Sequence, residues 1–190
     1  MYGVFEDWNI EITEDMATCL LTGIIGDTGS FQYELTKAGT HAVAAKLYEA
    51  NANHELIFFN LYRTTKFESY QLLELFLKKF VKEKQDKFVW TAVSFEEYSQ
   101  LKDPEKTPLV DVIIQTVADT NFGIRILEKE KGVLNVALRS RYPKTIDISV
   151  LAKKLGGGGH VAAAGARITE DFSVGCEKIL NEARNFAKEL

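Results

Sequence analysis

The sequence predicts an α/β protein, with helices over the first 86 residues and a mixed sheet flanked by helices after them. Three observations support this prediction. Apolar residues recur at helical spacing in the first part of the chain, and all three prolines lie at position 104 or later. After the polar cluster at 82–86, the pattern changes to short runs of β-branched and aromatic residues, which are typical of strands.

The 190 residues have the composition of an ordinary globular protein, with 46% apolar and 26% charged residues. A formal net charge of −4 excludes the basic field over the whole molecule that long nucleic acids require. The two cysteines, Cys19 and Cys176, are too few for a disulfide scaffold, so we expect free thiols in a reducing compartment. Without a membrane span of roughly 18 apolar residues or a secretory signal, the expected location is cytoplasmic, with no membrane partner.

The first part of the chain is predicted to be helical. Thr13 fits a helix N-cap, because Glu14 and Asp15 follow it near the positive end of the helix dipole. The apolar segment 16–25 comes next and ends in a turn at 26–31. Further helices are predicted over residues 40–50, 55–63 and 67–84.

After residue 86, strands and helices are mixed. In chain order we predict a strand over 87–94, a short helix opened by a capping box at Ser94 and Glu97, a helix over 109–118, hairpin strands over 122–127 and 133–138, a helix over 149–155 stopped by Gly156, a helix starting in 161–164, an edge strand over 166–169, and a last helix capped by Asp171. The predicted domains are therefore a helical unit at 1–65, a linker helix at 66–86 and an α/β domain at 87–190.

Charge is unevenly distributed along the chain. Residues 1–34 contain seven acidic residues and no Lys or Arg, whereas residues 139–167 contain six basic residues and one acidic residue. An acidic end can hold a cation and a basic window can hold a phosphate, which together favour a metal-dependent enzyme acting on a small phosphorylated ligand. The alternative is that these charges only solvate surface faces.

The glycine run at 156–159, followed by His160, is the strongest local feature. Consecutive glycines cost backbone entropy unless the chain needs unusual angles or a close approach. We expect the amides of Gly157, Gly158 and Gly159 to open a helix and form an anion site, with His160 donating to a phosphate or stacking on a base. The alternative is a flexible linker with an incidental histidine.

Two further positions are candidate ligands. Arg139 and Ser140 come directly after a predicted strand, which would hold the guanidinium rigidly for bidentate phosphate binding. Asp27 lies in the turn after the first apolar segment, where a carboxylate suits a hard cation, although an ordinary Asx-turn is the alternative. His41 and His54 match no metal or catalytic pattern, so we interpret them as structural or exposed.

Three motifs occur in one order along the chain: Gly26-Asp27-Thr28-Gly29, then Leu138-Arg139-Ser140, then the glycine run with His160 and Ala163-Ala164-Gly165. The combination resembles the DHH-family phosphoesterases, in particular the oligoribonuclease (nano-RNase) and pAp-phosphatase branch related to the RecJ exonucleases. The resemblance extends over essentially the whole chain. It implies a partial helical remainder of a DHH catalytic domain at 1–65 and a DHH-associated substrate-binding domain at 87–190.

The resemblance also implies roles for individual residues. Asp27 would bind catalytic manganese in a two-metal site that activates water for attack on a phosphoester. Arg139, Ser140, the amides of residues 157–159 and His160 would grip the terminal phosphate and the nucleotide. The Asp-His-His motif that names the family is absent. The chain is therefore expected to be the C-terminal portion of a longer hydrolase, with an incomplete catalytic site and little activity alone.

Two other functions remain open. The chain could be a non-catalytic nucleotide-binding module, or an RNA-contacting domain similar to the C-terminal part of alanyl-tRNA synthetase. Partial exposure of the apolar stretch 19–25 would favour self-association, so we also expect a homodimer or a larger form.

Overall fold

The computed structural model describes residues 2–33, 36–102 and 108–190, apart from the side chains of Glu6 and Pro108. The chain divides into two compact units, residues 1–65 and residues 66–190. The first unit contains the helices α1 (Tyr2–Asp7), α2 (Glu14–Asp27), α3 (Ala38–Glu49) and α4 (His54–Tyr62). The second unit contains, in order, α5 (Phe67–Lys78), β1 (Val81–Glu83), β2 (Phe88–Val93), α6 (Phe95–Tyr98), α7 (Pro108–Thr116), β3 (Phe122–Glu130), β4 (Val133–Ser140), α8 (Ile148–Lys154), β5 (Gly158–Gly159), β6 (Ala163–Thr169) and α9 (Phe172–Lys188).

The first unit is a small helical core whose helix starts follow the predicted caps. The Thr13 hydroxyl accepts a hydrogen bond from the Met16 amide at 3.3 Å, which confirms the N-cap of α2. The apolar segment after it is an amphipathic helix, because every fourth residue faces the core. The buried core of this unit consists of Ala17, Leu21, Ile25, Ala44, Leu47, Ala52 and Ile57. Within the stretch 19–25, Leu21 and Ile25 are therefore fully buried, whereas Cys19 is exposed.

The predicted helix over 67–84 is wrong beyond Lys78. There α5 ends, and residues 81–83 form β1, which pairs antiparallel with β2. The buried hydroxyl of Thr91 in β2 donates to the carbonyl of Phe76 at 2.7 Å, which satisfies a carbonyl at the end of α5. Pairing with the neighbouring strand β2 therefore overrides the helical spacing of Phe80 and Val81. Residues 66–86 form a helix and an edge strand within the second unit rather than a linker helix.

Within the described residues, the second unit is built on a six-stranded mixed sheet in the order β1-β2-β3-β4-β6-β5. Only β2 and β3 run parallel among its pairs, and the predicted hairpin of β3 and β4 is confirmed. Helices α8 and α9 cover one face, where the alternating side chains of Leu134, Val136 and Leu138 are buried. Helices α5, α6 and α7 pack over the other face at β2 and β3. The mixed-sheet α/β class is therefore confirmed.

The helix predicted to start in 161–164 is also wrong. Ala163 begins β6, which lies between β4 and β5 and is not an edge strand. Alanine and glycine alone leave the secondary structure open, and here pairing with β4 decides it. A Cβ atom at Gly165 would lie 2.7 Å from the Val136 carbonyl oxygen, so glycine permits the close pairing of these strands.

The remaining predicted caps are confirmed. Ser94 and Glu97 form the capping box of α6, and Asp171 accepts a hydrogen bond from the Ser173 amide at 3.0 Å at the start of α9. In the ranges that the structure describes, no helix has both the length and the apolar character needed to cross a membrane.

We predict that the two cysteines differ strongly in reactivity. Cys19 is exposed, whereas Cys176 on α9 is partly buried. Burial and the nearby Glu128 carboxylate raise the pKa of the Cys176 thiol from 9.0 to about 11. At pH 8, iodoacetamide should therefore modify Cys19 first and Cys176 only slowly, as measured by mass spectrometry. Because the folded-state pKa is raised, the thiol's contribution to folding stability should be present below pH 9 and lost as the pH rises toward 11. Equal labelling rates of Cys19 and Cys176 in the native protein would contradict the predicted difference in reactivity. The guanidinium-unfolded protein is the control.

Candidate functional site

The glycine run begins as the end of helix α8. The Gly156 amide donates to the Lys153 carbonyl at 3.0 Å, and the Gly157 amide donates to the Ala152 carbonyl at 2.8 Å. With Gly156 at a φ of +77°, this is the Schellman pattern that closes a helix. The prediction that the run opens a helix is therefore wrong, because its second half is strand β5 and strand β6 follows it.

The second half of the run is a strand in close contact with β6. Gly158 pairs with Gly165, and Gly159 pairs with Ala164. A Cβ atom at Gly157 would collide with the Gly165 carbonyl oxygen, and one at Gly159 would lie 2.5 Å from the Ala164 Cα. Gly159 also has a φ of +143°, which L side chains rarely adopt. The run is thus ordered structure in tight packing, and the linker alternative is wrong.

A short hairpin presents His160 at its tip. His160 and Ala163 exchange backbone hydrogen bonds of 2.9 and 3.1 Å, which leaves Val161 and Ala162 as the loop. The loop is anchored to the rest of the unit by its carbonyls, since Ser140 donates to Ala162 at 2.9 Å and Ile148 donates to Val161 at 3.1 Å. The His160 side chain is exposed.

Strand register places Arg139 and His160 in one row across the sheet. Arg139 in β4 lies opposite Ala163 in β6, and Ala163 lies opposite His160. Directly opposed residues of antiparallel strands share a face, and neighbouring strands are about 5 Å apart, so these two backbones are about 10 Å apart. The next row on the same face, two residues along each strand, contains Ala137, Gly165 and Gly158. We call the surface formed by Arg139, Ala163, Gly165, Gly158 and His160 the glycine face.

The glycine face is bordered by a cluster of two arginines and one aspartate. Asp111 on α7 accepts a hydrogen bond from Arg125 Nε and another from Arg139 Nη2, each at 2.7 Å. Arg139 also donates through Nη1 to the Leu138 carbonyl at 3.0 Å. With two guanidinium groups and one carboxylate, the cluster keeps a positive charge. Arg167, an exposed residue of β6 two residues beyond Gly165, is paired with Glu130 at 3.2 Å.

Ser140 lies on the opposite side of β4 from Arg139. Its hydroxyl is buried and donates to the Ile146 carbonyl at 2.9 Å. Its amide holds the hairpin loop through Ala162. Ser140 thus supports the glycine face and does not present its side chain on it.

Comparison with known proteins agrees with this fold. Residues 97–190 match the family model described as the DHHA1 domain. This part of the chain is a DHHA1 domain. Over 156 residues it is 28% identical to the bifunctional oligoribonuclease and PAP phosphatase NrnA of Mycoplasma genitalium, in an alignment that covers 80% of this chain and 46% of NrnA. The DHH-family resemblance inferred from the three motifs is thereby confirmed.

A solved structure extends the likeness to most of the chain. The exopolyphosphatase-related protein of Bacteroides fragilis aligns with a TM-score of 0.80 and 20% identity, over 93% of this chain and 53% of that protein. At this identity the match shows a shared fold. The chain spans about half the length of both proteins.

Asp27 lies in residues 1–65, whereas the whole glycine face lies in the unit that contains the DHHA1 domain. Asp27 is the last residue of α2 and is exposed. The turn after it is held by Thr28, whose buried hydroxyl donates to the Ile24 carbonyl at 2.6 Å and accepts from the Phe31 amide at 3.0 Å. Of the acidic residues at 1–34, Glu34 lies outside the described residues.

The described residues do not fit a two-metal site. Among them, no group of three or more His, Cys, Asp or Glu residues could hold a metal ion. Asp27 alone cannot supply the ligands that two metal ions need.

Sequence analysis did not find Asp111 or Arg125 as parts of the site. Both are charged residues between apolar neighbours, Asp111 between Val110 and Val112 in helix α7 and Arg125 between Ile124 and Ile126 in β3. A charge in such a setting is the signal that could have found them, because an unpaired charge there is costly.

We predict that two neighbouring glycines of the DHHA1 domain respond oppositely to alanine. Gly157→Ala should lower the free energy of unfolding by about 1–3 kcal/mol, since its Cβ would push against the backbone of β6. Gly158→Ala is the matched control, because no atom lies within 4 Å of its Cβ position. Its stability should stay unchanged or rise by about 0.4–1 kcal/mol. Urea unfolding followed by circular dichroism measures both, and equal losses would contradict the prediction.

Proposed function

We propose that this protein is a DHH-family phosphoesterase acting on short oligoribonucleotides or pAp-like nucleotides, and that its glycine face binds the substrate. The relative NrnA, named for oligoribonuclease and PAP phosphatase activity, supports the substrate class. The row of Arg139, Ala163 and His160 is the observation that carries the assignment of the binding surface.

The chemistry of the row suits a phosphorylated nucleotide. The Arg139 guanidinium is planar and always charged, so it can bind phosphate oxygens through paired N–H donors. The small residues between Arg139 and His160 leave room for a ligand to approach the backbone. The exposed imidazole of His160 can donate to phosphate or stack on a base. A short ligand needs only this local positive charge, which is consistent with a net charge of −4 for the whole chain.

Family resemblance implies manganese for the hydrolytic step. Because the described residues do not fit a two-metal site, we assign substrate binding to this chain and derive no chemical step from its residues. The proposed manganese ions require ligands in addition to Asp27.

We predict that residues 1–190 alone do not hydrolyse a short RNA. Incubation with 5′-phosphorylated diadenylate (pApA) and manganese chloride should release no mononucleotide above a protein-free control, as measured by ion-exchange chromatography. The physical reason is that one exposed carboxylate cannot hold two cations in place. Manganese-dependent release that Asp27→Asn abolishes would contradict this prediction.

The same chain should bind pApA without metal. Arg139→Ala and His160→Ala should each weaken binding of fluorescently labelled pApA by about 1.5–3 kcal/mol, the range for a charge-assisted hydrogen bond. Arg184→Ala is the control for lost charge, since Arg184 lies on α9 beside Glu83, at 3.3 Å, on the other side of the sheet. Fluorescence anisotropy measures all four proteins, and unchanged binding by Arg139→Ala and His160→Ala would contradict the proposed surface.

The binding experiment also separates the alternatives. Tighter binding of a structured RNA hairpin than of pApA would favour an RNA-contacting module over a phosphoesterase substrate site.

Homodimerisation stays a prediction. Its sequence basis was the stretch 19–25, whereas the large apolar side chains exposed in the first unit include Leu56, Phe59 and Tyr62 of α4.

A further inference from the structure

A carboxylate beside a phosphate-binding arginine needs a physical reason. Asp111 carries a negative charge next to Arg139, and a negative charge repels a phosphate approaching the same guanidinium. Charge alone would therefore favour a neutral residue at position 111. We propose that Asp111 is a positioning residue, which holds the Arg139 guanidinium at the glycine face in the orientation that receives phosphate. This inference rests on the proposed function.

The geometry of Asp111 suits that role. Its side chain is 17% exposed, and each oxygen binds a different arginine at 2.7 Å, Arg125 through Oδ1 and Arg139 through Oδ2. The two arginines come from neighbouring strands, β3 and β4, so the carboxylate ties helix α7 to both strands. A free arginine side chain has many rotamers, and restricting them before binding lowers the entropy lost on binding.

Arg125 keeps the carboxylate from cancelling the charge of Arg139. Its guanidinium lies 5.9 Å from the centre of the Phe76 ring, which helps to fix it beneath α7. One negative charge is thus shared between two positive ones. Arg139 donates to Asp111 and to the Leu138 carbonyl, and these bonds engage only part of the N–H donors of a guanidinium. The other donors can serve a ligand.

The seating of α7 makes this contact possible. Gly123 in β3 lies under the helix, where a Cβ atom would come within 2.6 Å of the Ile114 Cβ. The absence of a side chain at this point lets α7 lie close to the sheet. Asp111, one helical turn before Ile114, can then reach Arg139.

The test compares two Asp→Asn variants with the same change in charge. Asp111→Asn should weaken pApA binding about tenfold, because an amide can accept from only one of the two arginines. Asp119→Asn is the matched control, since Asp119 follows α7, is 88% exposed and pairs with Lys82 at 3.4 Å. Its affinity should change by less than about twofold, as expected for an exposed pair. Asp111→Asn binding as tightly as the wild type, or more tightly, would overturn the inference.

The salt dependence of binding separates positioning from a folding defect. If Arg139 loses its phosphate contact, the slope of log Kd against log salt should fall by about 0.7. A smaller folded fraction would weaken binding equally at every salt concentration and leave the slope unchanged, which would also overturn the inference. If Asp111→Asn unfolds at the assay temperature, Asp111→Glu replaces it, with the same expected loss, because its carboxylate is displaced by one methylene.

The arms also distinguish failure of the inference from failure of the proposed function. If Arg139→Ala weakens pApA binding and Asp111→Asn does not, only the positioning role of Asp111 is wrong. If pApA does not bind the wild type, or binds Arg139→Ala equally well, the proposed substrate surface and the role of Asp111 both fail.

Discussion

The close contact between the backbone of the glycine run and strand β6 is the constraint on which the rest of the site depends. Gly157 and Gly159 meet the backbone of β6 at distances that exclude a side chain. Any larger residue would push β5 outward, and the hairpin that follows would move with it. The hairpin is tied to Ser140 and Ile148 by its loop carbonyls, so it can hold His160 steadily in the row of Arg139. The glycine run costs backbone entropy on folding, and the hairpin that it permits holds the backbone of His160 in one place.

Gly123 acts in the same way beneath helix α7, on the same face of the sheet as Arg139. Gly123 lets helix α7 approach β3 closely enough for Asp111 to contact both Arg125 and Arg139. The charged cluster and the hairpin thus converge on Arg139 from different directions, and each depends on a residue without a side chain. In the proposed function, the few protein groups that meet at Arg139 bind a phosphorylated nucleotide. It does so in a chain whose net charge is negative.

The sequence predicted those parts of the fold that depend on contacts between near neighbours. The caps at Thr13, Ser94 and Asp171 join groups two or three residues apart, so their residue types identify them. The same holds for the end of α8 at Gly156, where a local Schellman pattern needs a positive φ. The helices predicted over 67–84 and from 161–164 failed, because strand pairing decides both segments, through Val81 with Trp90 in the first and Ala163 with Arg139 in the second. The residue types of Val81 and Ala163 do not identify those pairs.

The residue types identified from the sequence are an arginine at a strand end, a glycine run and the histidine after it, and these are the groups available for the chemistry. Tertiary structure alone decided how they are arranged. The register between β4 and β6 puts Arg139 in the row of His160, whereas Ser140, the next residue, points into the other face. A shift of one residue would reverse that choice. The pairing of Asp111 with Arg139, 28 positions apart, depends on how α7 packs on the sheet. Register and packing arise from the sum of many distant contacts, which no short stretch of sequence contains.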